Sequence, residues 1–483
     1  MDRIHQPPAA LQSDDISASN VEATSLGSRD DEFGPGSEKK AIEEYPECGL
    51  TSTVHEGEQK FHSLGWKKLT ICLLVEAIAL GSLSIPKAFA TVGMVAGVIL
   101  TVVLGLIAIY TGYNVGLVKL RYPAVAHYSD AVRLIWGRTG YEIVNVMFTV
   151  YLVMLVGSHA LSGTIALVTV SDLPHVCALV WSVVAMVVLL LLSLPPTFSE
   201  FAILGYIDFA SIVIAIGVTV VATGIDAHNA PGGLAAVPWS AWPPPDTTLA
   251  EAFLATSNII LAYAFAVCQF SFMTEMHTPK DFVKSIWWLG GVQIVIYTLV
   301  GALVYAFVGE SVQSPALLSA GSTVSRVAFG IALPVIFISG SINTTVVGRF
   351  ILDRAFPDSS IRYINTKAGW LSWIAIISTL TVIAWVIAEG IPIFNALLGL
   401  ISALFISGFS YYFPALFWFQ LLKEDKWYSS RKNISLTVLN GIVLVFGLLL
   451  LGLGTYASVE DIINEFHIGK VRSAFTCDSS AYS

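Results

Sequence analysis

Glu76-Ala77-Ile78-Ala79-Leu80-Gly81-Ser82-Leu83-Ser84-Ile85-Pro86 is the stretch that decides how this 483-residue chain is read. It lies inside an apolar run, Leu69 to Val92, long enough to cross a hydrocarbon core of about 30 Å as a helix. Yet the run holds an acid and then a glycine, two serines and a proline. Pro86 has no backbone donor and crowds the carbonyl of Ser82, so the helix must bend or break there. At bilayer depth the freed backbone groups find no water, and a break persists where it lines a protected cavity. The new helix ends then carry partial charges that hold an ion or a zwitterion. A plain proline kink is the alternative for Pro86 alone; the neighbouring Glu76, Gly81, Ser82 and Ser84 favour the cavity.

The rest of the chain matches that setting. Charged residues make up 12% and hydrophobic residues 55% of it, and the mean hydropathy is +0.74. Most of the chain therefore cannot face water, which excludes a soluble enzyme, a disordered scaffold and a nucleic-acid partner. Of its 34 acids and 25 bases, 13 acids and 5 bases fall in the first 60 residues, so that segment carries −8 and the remainder −1. The acidity belongs to a tail. Residues 1–62 have too little apolar surface to offset the entropy of ordering, and read as a disordered cytoplasmic tail. They contain no signal-peptide h-region, so the first span serves as its own insertion signal. Five scattered cysteines are too few for a disulfide scaffold or a metal site.

After Leu69–Val92, the apolar runs are Val95–Lys119, Tyr141–Val170, His175–Leu194, Ser199–Ile225, Leu249–Met276, Phe282–Val308, Ser325–Leu352, Trp370–Ala388, Ile391–Leu422 and Ile434–Ala457. About eleven helical spans result. They are continuously apolar rather than alternating, which argues against strands. The domain is thus 63–457, with a tail over 458–483. Lys119, Arg121, Arg133 and Arg138, then Lys280 and Lys284, then Arg349, Arg354, Arg362 and Lys367 between or beside the eighth and ninth runs, then Lys423, Lys426, Arg431 and Lys432 all fall on one side of such a topology. The connections Ser171–Pro174, Asp226–Asp246 and Glu389–Gly390 on the other side hold neither Lys nor Arg. The positive-inside rule then puts the N-terminus in the cytoplasm and the C-terminal tail outside.

An ionisable group within a span is costly and tends to face a cavity or a proton relay. Glu76 is the sharpest such residue, read as a proton acceptor, or else as a permanently protonated partner of a neighbouring helix. Asp208, in the fifth span toward its cytoplasmic end, is the weaker coupling candidate. In the sixth span Tyr263, Ala264, Phe265 and Ala266 combine small residues with two aromatics, suited to a side-chain pocket or to ordinary packing. Ser339-Gly340-Ser341-Ile342-Asn343-Thr344-Thr345 places hydroxyls and an amide in the eighth span, where Asn343 is a candidate contact and interhelical glue is the alternative. Asn343-Thr344-Thr345 and Asn433-Ile434-Ser435 match a glycosylation pattern but lie in a helix and on the cytoplasmic side. No Walker loop, metal-spaced histidine cluster or nucleophile elbow appears, which disfavours an ATP-driven pump or a hydrolase and implies no cofactor and no metal.

The run Glu76 to Pro86 followed by Ala90-Thr91-Val92-Gly93 resembles the opening helix of the amino acid/auxin permease family, closest to its fungal neutral amino-acid permease branch. Tyr263-Ala264-Phe265, Thr274-Glu275-Met276, Pro279 and Phe282 are similar to that family's sixth helix and its cytoplasmic end. The resemblance spans roughly 65 to 457. It implies an all-α fold of five plus five helices in an inverted repeat, as in the leucine transporter, with an eleventh helix added. Broken helices one and six then meet at the midplane. Backbone at Ala79, Leu80, Gly81, Ser82, Leu83 and Ser84 is expected to hold the substrate's carboxylate and ammonium, with Tyr263 to Ala266 toward its side chain. Ala332 stands where sodium-coupled relatives would carry a hydroxyl, which, with Glu76, leans toward protons.

The expectation is a proton-coupled symporter of neutral amino acids in the plasma membrane, with the vacuolar membrane as the alternative location. It makes and breaks no bond. Rival readings are a sodium-coupled symporter, a seven-helix-type receptor or amino-acid sensor without net transport, and an ion channel. Lys39 and Lys40 offer the tail's acceptor sites for ubiquitin.

Overall fold

The computed structural model describes residues 65–483 except 79, 80, 174, 197–200, 275, 358, 360, 362, 363, 365, 425, 470–472 and 478–483. The expected tail over 1–62, with Lys39 and Lys40, lies outside the described residues. Within them the regular structure is helical. Eight helices are long and apolar enough to cross a membrane: Met94–Arg121, Tyr128–Ser171, Gly205–Asn229, Pro279–Ser311, Ala316–Ala355, Lys367–Gly390, Phe394–Leu422 and Arg431–Ile468. The pair Leu249–Ala262 and Ala264–Thr274, bent by 46°, makes a ninth. These are the second, third and fifth to eleventh expected spans. The first is described as Trp66–Ile78 and Gly81–Val92, on either side of residues 79 and 80, and the fourth is Ala178–Leu192. Among the described residues, nine of the expected eleven are counted by length.

Two boundaries differ most from the expectation. The third span begins at Tyr128 rather than Tyr141, with a kink at Gly137, whose φ of 61° glycine adopts at little cost. Asp130 closes its first turn, its carboxylate accepting from the backbone N–H of Ala126 (3.1 Å) and His127 (2.9 Å). The last helix continues from Ala457 to Ile468, through polar residues Glu460, Asp461 and Glu465 that end the apolar run but not the helix. Thr248 starts the sixth span with a capping box, its Oγ1 accepting from Glu251 N–H at 3.2 Å while Glu251 Oε2 accepts from Thr248 N–H at 2.8 Å.

Each of the first four spans packs on the span five further along: first on sixth, second on seventh, third on eighth, fourth on ninth. That pairing is what two interlocked five-helix repeats produce. The eighth span also packs on the fifth, and the tenth carries a wide π-helical stretch over Ser402–Tyr412. Cys177, before the fourth span, is joined by a disulfide to Cys477 of the C-terminal segment. The scattered cysteines had not suggested a pair.

Candidate functional site

The first span is described over Trp66–Ile78 and Gly81–Val92, on either side of residues 79 and 80. The sixth ends at Ala262 and resumes beyond Tyr263 as a tight turn, Ala264–Cys268, and a short helix, Gln269–Thr274. Gly81 lies against the break of the sixth. A β-carbon on Gly81 would fall 2.8 Å from Ala262 Cα and 2.9 Å from its Cβ, so the contact requires glycine.

Breaking a helix orphans carbonyls that must be satisfied in the absence of water. That of Ala262 is met by the hydroxyl of Tyr297 in the seventh span at 3.1 Å, and the same hydroxyl lies 2.9 Å from Ala77 O of the first span. Its single proton is shared between the first and sixth spans. The Tyr297 ring is fully buried and stands edge-on to Tyr263, centroids 5.3 Å apart. Sequence reading passed over Tyr297, because its spacing marks it only as one more aromatic in an apolar span.

A cavity opens beside the break of the sixth span. Leu73, Ala77, Leu155, Leu261 and Phe265 supply apolar walls, Gly81 and Ala264 the floor, and Tyr151, His159 and Asn343 the polar groups. No charged side chain is among these lining residues. Of the expected contacts, Gly81, Ala264, Phe265 and Asn343 therefore face the cavity. Ser82, Leu83, Ser84, Tyr263 and Ala266 are buried but outside its lining. Ser82 Oγ donates to Ile78 O (2.5 Å) and Ser84 Oγ to Gly81 O (3.0 Å), so both hydroxyls turn back onto their own helix. Tyr263 donates to Thr101 O in the second span at 3.0 Å, away from the cavity. Ala79, Leu80 and the Glu76 side chain lie outside the described residues; the Glu76 backbone is in the first helix.

Asp208 is 1% exposed and accepts from Ser339 Oγ at 2.7 Å. Ser339 O in turn accepts from Asn343 Nδ2 at 3.0 Å. The acid is thus one residue removed from the cavity wall. A second small cavity, lined by His127, Asn145, Ser271 and Phe350, shares Val267 with the first. His159 and Tyr151 were also missed in the sequence, although a histidine within an apolar span is itself a signal.

A family model described as transmembrane amino acid transporter protein matches residues 62–460. An N amino acid transport system protein of Neurospora crassa is 56% identical over 425 residues, 88% of this chain and 90% of the relative. A transmembrane transporter of Fusarium pseudograminearum is 26% identical over 88% of this chain and 89% of its own. Among solved structures, a nucleobase-cation-symport-1 family transporter in a closed conformation with bromovinylhydantoin bound has a TM-score of 0.52 at 12% identity, covering 86% of this chain and 96% of that one. This last likeness concerns the fold alone.

Proposed function

Because the chain belongs to the family of transmembrane amino acid transporter proteins, we propose that it is a proton-coupled symporter of neutral amino acids, working by alternating access. The observation that carries this reading is the cavity where Gly81 of the first span meets the break of the sixth, lined by apolar walls and three uncharged polar side chains. The freed backbone at Ala264, with the break that we propose for the first span beside Gly81, suits a zwitterion's two charged ends. A cationic or acidic side chain would lie there unpaired, at a cost of several kcal/mol, whereas leucine, methionine or phenylalanine would not.

Coupling is assigned to Glu76, adjacent in sequence to the lining residue Ala77, with Asp208 as the next candidate. Protonation would make occlusion with a zwitterion less costly, so proton and substrate favour the same closed state. The location proposed is the plasma membrane, with the C-terminal segment outside. The Cys177–Cys477 disulfide supports that orientation, since such bonds persist on the oxidising side of a membrane.

Uptake of a panel of radiolabelled amino acids into proteoliposomes, under imposed proton or sodium gradients, tests the whole reading. Accumulation of neutral amino acids driven by the proton gradient alone is the expected result. Accumulation that requires sodium, or lysine and glutamate competing equally with leucine, would sink it.

A further inference from the structure

His159, in the third span, stands in the cavity wall with one ring nitrogen committed. Its Nδ1 lies 3.0 Å from the backbone oxygen of Ile336 in the eighth span. A carbonyl only accepts, so Nδ1 carries the hydrogen and Nε2 of the neutral ring is an acceptor. The close approach of the two helices fixes this arrangement. A β-carbon on Gly340 would fall 2.9 Å from His159 Cβ, so no larger residue there leaves the ring where it is. Asn343, also in the eighth span, repeats the pattern. Its Nδ2 donates to Ser339 O at 3.0 Å, which leaves Oδ1 as an acceptor. Neither Nε2 of His159 nor Oδ1 of Asn343 has a hydrogen-bond partner among the described residues. Both residues line the same cavity.

We propose that His159 and Asn343 form a side-chain specificity subsite that selects neutral amino acids carrying a side-chain hydrogen-bond donor, an amide, phenol or indole, over isosteres that lack one. The inference rests on the cavity being an amino-acid site. The ammonium and carboxylate are common to every amino acid, and the freed backbone at the break of the sixth span answers them, beside Gly81 of the first. The third and eighth spans supply the wall that meets what varies. An apolar side chain would strip water from two acceptors and return nothing, whereas a donor repays both. Sites built on a hydrogen bond discriminate against the analogue that lacks it more sharply than apolar pockets sort by size.

The test compares matched pairs in proteoliposomes, glutamine with methionine and tyrosine with phenylalanine, for the wild type, His159→Leu and Asn343→Leu. Each substitution is expected to lower apparent affinity for glutamine and tyrosine about tenfold more than for methionine and phenylalanine. His159→Gln, which restores an acceptor, should recover part of the difference. Substrate-induced thermal stabilisation of the purified variants gives the same comparison without transport, and covers a variant that folds but does not turn over. An equal fall for all four substrates would assign the acceptors to the common ammonium and overturn the proposal. Unchanged ratios in both variants would overturn it as well. A wild type that takes up none of the four would instead defeat the transport reading beneath it.

Discussion

Gly81 sits so close to Ala262 that a β-carbon on it would fall 2.8 Å from the Ala262 Cα. The obstacle is backbone, so no side chain can swing aside. Gly81→Ala should therefore cost about 1–3 kcal/mol of overpacking and push the first and sixth spans apart. Thermal unfolding of the purified protein should shift downward, and uptake should fall with it. Gly291→Ala in the seventh span, where nothing lies within 4 Å of the added carbon, is the control and should not be destabilising.

Coupling is tested at the two acids. Glu76→Gln, a neutral mimic of the protonated form, should abolish accumulation driven by a pH gradient while sparing exchange of internal for external substrate. If Glu76→Gln still concentrates substrate under an inward proton gradient, the role passes to Asp208. There Asp208→Asn and Ser339→Ala should then alter the pH dependence together, because Ser339 Oγ donates to Asp208 at 2.7 Å.

The disulfide makes the topology checkable. Cys177 and Cys477 are 300 positions apart in sequence and bonded, so both ends of that bond lie on one side of the membrane. An impermeant reductant applied to intact cells should free the pair for an impermeant thiol reagent. Serine substitution at either position should leave the other thiol reactive from outside without reduction. Labelling only after permeabilisation would invert the orientation.

His127 supplies a pH dependence on the opposite face. The residue is half-buried overall, but its ring, 3.1 Å from Ser271 Oγ, has lost its water. That loss outweighs the nearby Asp130 carboxylate and pushes the imidazole down to about 4. The folded protein keeps the ring neutral where the unfolded chain, with an ordinary value near 6.5, takes up a proton. Its contribution is complete above about pH 6.5 and is lost as pH falls toward about 4. Thermal stability of the purified protein should decline over that window, and less steeply in His127→Gln. Equal slopes would remove His127 from the account.

Much of the fold was legible without coordinates because a bilayer imposes simple rules. Twenty apolar residues make a span, and Lys and Arg stay on one side. Those rules misjudged the fourth span, a helix shorter than its apolar run, and the start of the third. Arg133 and Arg138 ended the apolar reading there, although backbone geometry carries the helix through Gly137 to Tyr128.

By itself the sequence determined that the chain is a helical membrane protein and that the sixth span carries a run of small residues, and it led to the expectation of a break near Gly81 in the first. Each follows from local chemistry: apolar length, a missing donor at Pro86, the absence of a side chain. Only the tertiary structure decided which groups meet where Gly81 and the sixth-span break adjoin. It turned Ser82, Ser84 and Tyr263 away from the cavity and brought in Tyr297, His159 and Tyr151 from other spans. Side-chain direction is set by whichever buried partner a polar group finds. For Tyr297 those partners, Ala77 O and Ala262 O, are 220 and 35 residues away, beyond the reach of any pattern read along the chain.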